Sequence, residues 1–136
     1  MRNPIGFVAV LLFGLAAAPA LAFNLTTLGE EACTAHRTLS KIKNKFAWAE
    51  HHTWRRGFVI ETLENPRLRY DVFGGQSLID HTHCRAEALM TDGRRWTVYY
   101  IVEKWGGFAS IGTGVEYCVV GLDPWRIHDG YCRTLR

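Results

Sequence analysis

Apolar positions recur along this chain in two different rhythms. From Leu28 to Ala49 they fall at Leu28, Ala32, Ala35, Leu39, Ile42, Phe46 and Ala49, with spacings that alternate between four and three. That is the period of one face of an α-helix, and it predicts one long amphipathic helix near the N-terminus. Thr27 and Glu30 stand three apart as a capping box at its start. Glu30 and Glu31 suit the positive end of the helix dipole, and Lys41, Lys43 and Lys45 suit the negative end.

After Trp54 the rhythm shortens to β-rich runs at 57–63, 68–73, 83–90, 95–105 and 115–120, with a sixth at 131–135. Asn65-Pro66, Gly74-Gly75, Asp92-Gly93, Gly106-Gly107 and Asp123-Pro124 separate them. The strongest hairpin joins His83 to Trp105 through Thr91-Asp92-Gly93, a three-residue loop in which Gly93 takes the left-handed conformation. This loop sets Ala88 against Trp96, Ala86 against Val98 and Cys84 against Tyr100, so small residues face large ones on one apolar side. A two-residue loop would instead put Glu87 against Val98. The expected fold class is α+β, with the long helix packed on an antiparallel meander.

The first 22 residues have the three parts of a secretory signal peptide: Arg2, an apolar run from Ile5 to Ala18, and Ala20-Leu21-Ala22 after Pro19. The run is shorter than the ~20 residues that span a bilayer as a helix. The expectation is cleavage after Ala22, a single domain at 23–136, no remaining transmembrane segment, and a secreted or periplasmic location. Net charge is +3, or +2 without Arg2, and the basic residues are dispersed. A nucleic-acid partner is therefore not expected, since such proteins concentrate their charge. Arg37, Lys41 and Lys45, spaced by four, read as the solvated face of the helix.

Four cysteines, an even count in an exported chain, imply two disulfides. Of the three pairings possible, Cys118 with Cys132 closes a short loop and leaves Cys33 with Cys84 as a staple from helix to sheet. The hairpin register supports the second bridge, because Cys84 lies on the apolar side that the helix would cover.

Candidate chemistry centres on β-rich positions. His81 and His83 share one side of a strand and would present two imidazoles to zinc or copper, with a third ligand from His51, His52, His128 or Glu103. Tyr99, Ile101 and Glu103 alternate onto the side away from Tyr100 and lie opposite His83 and Arg85. That half-apolar face needs a cover or a ligand and is the expected binding surface. His51-His52 and Trp54-Arg55-Arg56 mark the helix exit, and Asn24-Leu25-Thr26 fits a glycosylation acceptor. Phosphate-binding glycine loops, a nucleophile elbow and a His-Glu-x-x-His helix are all absent from the sequence.

The stretch Ser110-Ile111-Gly112-Thr113-Gly114-Val115-Glu116-Tyr117 resembles the Ser/Gly loop ending in Tyr of bacterial periplasmic lysozyme inhibitors. That resemblance implies an exported inhibitor with disulfides on a β-barrel, from which the long helix departs. The order of helix and then curved sheet is similar to cystatin-like and NTF2-like rolls, families of inhibitors, binders and enzymes. The functional expectation is a non-catalytic binding or inhibitor protein of the bacterial envelope or extracellular space, with a protein or small-molecule partner and no cofactor. Its alternatives are a small metal-dependent enzyme using the His-x-His strand and a structural envelope protein.

Overall fold

The computed structural model describes residues 25–72, 79–106 and 111–136. The segment 1–22, Asn24, the Gly74-Gly75 break and Ser110 lie outside them. Two helices, α1 (Leu25–Thr34) and α2 (His36–Ala49), precede four strands: β1 (Ile60–Val72), β2 (His81–Met90), β3 (Arg95–Lys104) and β4 (Thr113–Val119). The strands form one antiparallel sheet in the order β1-β2-β3-β4. A π-helical turn, Glu50–Trp54, extends α2, and a 3-10 segment, Gly130–Leu135, follows the sheet.

The single long helix expected from the periodicity is broken at Ala35, whose ψ of 127° is extended. Its cause is tertiary. In an unbroken helix the Cys33 carbonyl would accept the amide of Arg37. Here it accepts the hydroxyl of Tyr100 at 2.8 Å, while the Cys33 side chain is bonded to Cys84 on β2. The Ala35 carbonyl then starts α2 by accepting the amides of Thr38 and Leu39. Nor do Thr27 and Glu30 form the expected cap: α1 begins at Leu25, and the Glu30 carboxylate accepts the Leu68 amide at 2.8 Å. The Thr27 side chain lies outside the described residues.

The β2–β3 hairpin has the expected register, with Cys84 against Tyr100, Ala86 against Val98 and Ala88 against Trp96. Gly93 supplies its left-handed residue at φ 82°, a conformation that costs glycine little because it has no Cβ. Two other expectations change. Asn65-Pro66 does not end a strand: it is a bulge inside β1, where one extra residue separates the Glu64–Glu87 pair from the Arg67–Arg85 pair. Proline is tolerated there because β1 is an edge strand. Residues 131–135 form the 3-10 segment, not a strand.

Cys33, Ile42, Phe46, Leu63, Cys84, Met90, Val98, Tyr100, Val102 and Val115 make the main core between helices and sheet. α2 also fastens both sheet edges. Lys41 and Lys45 donate to the carbonyls of Thr113 and Val115 on β4, and Lys43 donates to the carbonyl of Glu61 on β1, each at 2.6 Å. Two members of the expected solvated stripe are thus bonded to an edge strand, which also makes that edge less available to another chain. Among the described residues, no helix is long and apolar enough to cross a membrane.

Candidate functional site

Strand alternation sends Val98, Tyr100 and Val102 into the core and Tyr99, Ile101 and Glu103 to the outer face. Cross-strand register then pairs Arg85 with Tyr99, His83 with Ile101 and His81 with Glu103. The five expected contact residues therefore share one surface. Part of it is closed. Ile101 packs with Cys118, Cys132 and Leu135 in a second apolar cluster, and His83 is also buried. The cover is the Gly130–Leu135 segment, tied to β4 by the Cys118–Cys132 disulfide.

His83 sits within this closure. Its ring stacks on Tyr70 with centroids 4.2 Å apart, and Nδ1 lies 3.5 Å from the Leu135 carbonyl. The Tyr70 hydroxyl donates to the Arg136 carbonyl at 2.9 Å. Burial pushes His83 below the usual imidazole value, helped by His81 and Arg69 and opposed by the Leu135 carbonyl and Asp71. His81 lies 3.7 Å from Glu103.

The other expected ligands for a metal at His81 and His83 are dispersed. His51 and His52 contact each other edge-on at the π turn, and His52 stacks on Trp48. His128 is 3.9 Å from Glu116, which is separated from His83 in the sheet by Ile101. Among the described residues no three His, Cys, Asp or Glu side chains converge on one point.

Tyr99 remains at the open part of the face, and β1 brings it a neighbour that the sequence reading overlooked. The Arg69 guanidinium lies 5.3 Å from the Tyr99 ring centroid and 5.8 Å from that of Tyr70. Arg85 approaches the same Tyr99 ring at 6.0 Å. Arg67 pairs with Arg85 across β1 and β2. The sequence signal for Arg69 was its place in the 68–73 run, but Arg67 fell outside every run read from the sequence and Asn65-Pro66 concealed which strand the two join.

Beyond β4 the chain forms a tightly pinned loop. The Asp123 carboxylate accepts the His128 amide at 3.3 Å, the Arg126 amide reaches the Asp123 carbonyl, and the Asp129 amide reaches the Arg126 carbonyl. Arg126, Asp129, Tyr131 and Cys132 all have left-handed φ values between 51° and 62°, which non-glycine residues adopt at a cost. The surrounding bonds hold this backbone while Trp125, Ile127 and Tyr131 remain 67%, 65% and 75% exposed. Trp125 meets Trp54 edge-to-face at 4.3 Å.

A cleft of about 210 Å³ lies beside the loop, lined in part by Lys45, Trp54, Arg56, Tyr117, Asp123 and His128. Its two cations are engaged: Lys45 binds the Val115 carbonyl, while Arg56 pairs with buried Glu50 and donates to the Leu122 carbonyl at 3.0 Å. Burial, followed by the charges of Glu50 and Asp123, pushes the Tyr117 hydroxyl up to about 12. Arg56, read from sequence as part of the helix exit, thus ties that exit to Glu50 and to the Leu122 carbonyl. The chain matches no family model, no curated protein and no solved structure.

Proposed function

We propose that the protein is an exported, non-catalytic binding or inhibitor domain of the bacterial envelope or extracellular space, and that the loop after β4 meets a protein partner. One observation carries the reading: Trp125, Ile127 and Tyr131 are displayed to solvent on a backbone fixed by hydrogen bonds and a disulfide. Large apolar side chains on a pinned loop lose little conformational freedom on docking, and Trp and Tyr are among the residues that dominate interface energies. Two disulfides support a domain that folds in an oxidising compartment.

The test is a pull-down from the producing organism's own envelope and medium, with the oxidised protein as bait and Trp125→Ala/Ile127→Ala as control. A stoichiometric partner kept by the wild type and lost by the variant supports the reading. Equal retention by both, or no partner at all, removes the loop as the contact surface.

A further inference from the structure

The open part of the outer sheet face has a charge pattern that folding alone does not explain. Among the described residues, four arginine–carboxylate ion pairs form, and none of them includes Arg67, Arg69 or Arg85. Four other arginines find carboxylates: Arg56 pairs with Glu50, Arg94 with Asp92, Arg95 with Glu64 and Arg133 with Asp129. Of the described arginines, Arg37, Arg55, Arg126 and Arg136 are likewise in no ion pair, but Arg67, Arg69 and Arg85 are set apart by being neighbours on one sheet face. Arg67 and Arg85 are directly opposed across β1 and β2, an arrangement in which like charges repel. Arg69 and Arg85 lie within 6.0 Å of the same Tyr99 ring.

Aromatic packing holds these guanidiniums without using up their donors. A cation over a ring engages its π face, while guanidinium N–H groups point outward in the plane of the fork. Arg85 Nε is moreover shielded from solvent and has no hydrogen-bond partner, although such a donor is costly to leave unmet. Tyr70 is anchored by its bond to Arg136 and its stack on His83, so the platform beneath Arg69 is fixed.

We propose that Arg69 and Arg85, supported by Arg67 and Tyr99, form a binding site for a tetrahedral oxyanion, the phosphate or sulfate group of a small ligand. Such a group carries enough oxygens to receive two guanidinium forks and enough charge to relieve the repulsion among three cations. A carboxylate has only two oxygens. Tyr70 is occupied by His83 and Arg69, and Tyr99 by Arg69 and Arg85, which leaves no bare ring here for stacking nucleic-acid bases. This site is separate from the loop proposed to meet a protein, and either can fail without the other.

The test is an NMR titration of the oxidised protein with inorganic phosphate and with inorganic sulfate, following the arginine Nε–H signals at constant ionic strength, with acetate as the comparison ion. Saturable shifts of the Arg69 and Arg85 signals by phosphate and sulfate, and not by acetate, are expected. Arg69→Gln/Arg85→Gln should weaken binding at least about tenfold, the scale of losing charge-assisted hydrogen bonds. The charge-matched Arg55→Gln/Arg126→Gln protein should stay within about twofold of wild type on the same affinity scale. Unsaturable shifts in the wild type, equal response to acetate, or equal loss in the two double variants would each overturn the proposal. A parallel arm adds vesicles containing phosphatidate: binding to vesicles without binding to the free ions would also overturn it, by making the ligand a membrane surface.

Discussion

The two faces of this sheet are closed by different means. The inner face is covered by two helices and crossed by the Cys33–Cys84 bridge, whose partners are 51 residues apart. Among the described residues, a small cluster around Ile101 closes the outer face, built by a segment that the Cys118–Cys132 bridge ties down across 14 residues. Extensive apolar burial on one side leaves the fold less dependent on the other. That difference allows the outer side to keep unpaired arginines and exposed aromatic residues, features that a principal core would not accommodate.

Disulfide removal tests the comparison with the largest effect. Loop-closure entropy gives about 4 kcal/mol for Cys33→Ala/Cys84→Ala and about 3 kcal/mol for Cys118→Ala/Cys132→Ala. Urea unfolding should show both losses, but only the second should release residues 130–135 to rapid amide exchange while the sheet stays protected. Simultaneous loss of protection everywhere would show that the faces are one cooperative unit. Next, Leu135→Ala should cost about 2 kcal/mol by opening a cavity in the outer cluster, less than the roughly 4 kcal/mol expected for Phe46→Ala in the inner core. Equal costs would contradict the division.

Tyr100→Phe probes the junction of α1 and α2. It leaves the buried Cys33 carbonyl without its partner, and the expected loss is about 1–2 kcal/mol, read from the thermal midpoint of the oxidised protein. Acidification should act on the outer face. Because His83 is depressed in the folded state, the unfolded chain takes up the proton first as pH falls below the ordinary value of 6.5. Stability from neutral His83 is present above that value and is lost on acidification until the folded form also protonates. Thermal midpoints measured from pH 8 to pH 5 should fall less in His83→Gln than in wild type on this scale. The smallest equilibrium effect is expected for Lys41→Gln/Lys45→Gln, under about 1 kcal/mol, because exposed polar contacts contribute little. Its clearer signature is self-association through the uncovered β4 edge, measured by light scattering.

Local patterns made much of the inner face legible. The spacing of Leu39, Ile42 and Phe46 marked the buried side of α2, and Thr91-Asp92-Gly93 set the β2–β3 register together with the alternation around it. The outer site was legible only in part. Arg85, Tyr99 and His83 could be assigned to one side of two strands, but Arg67, Arg69 and Tyr70 come from across a bulge that resembled a turn. Closure of Ile101 by residues 130–135 was equally hidden, since that segment reads as a short strand and folds as a 3-10 turn.

Sequence by itself determined the helix-then-sheet class, the buried face of α2, the β2–β3 register and the side of the sheet on which each residue of that hairpin falls, because these follow from the periods of local backbone geometry. Tertiary structure decided the break at Ala35, the engagement of Lys41, Lys43 and Lys45 with edge carbonyls, the burial of His83 and the meeting of Arg69 with Arg85 at one tyrosine. Each of these depends on a partner many residues away. Short-range periodicity cannot encode such a partner, since the competing bond or charge exists only after the strands and helices have packed.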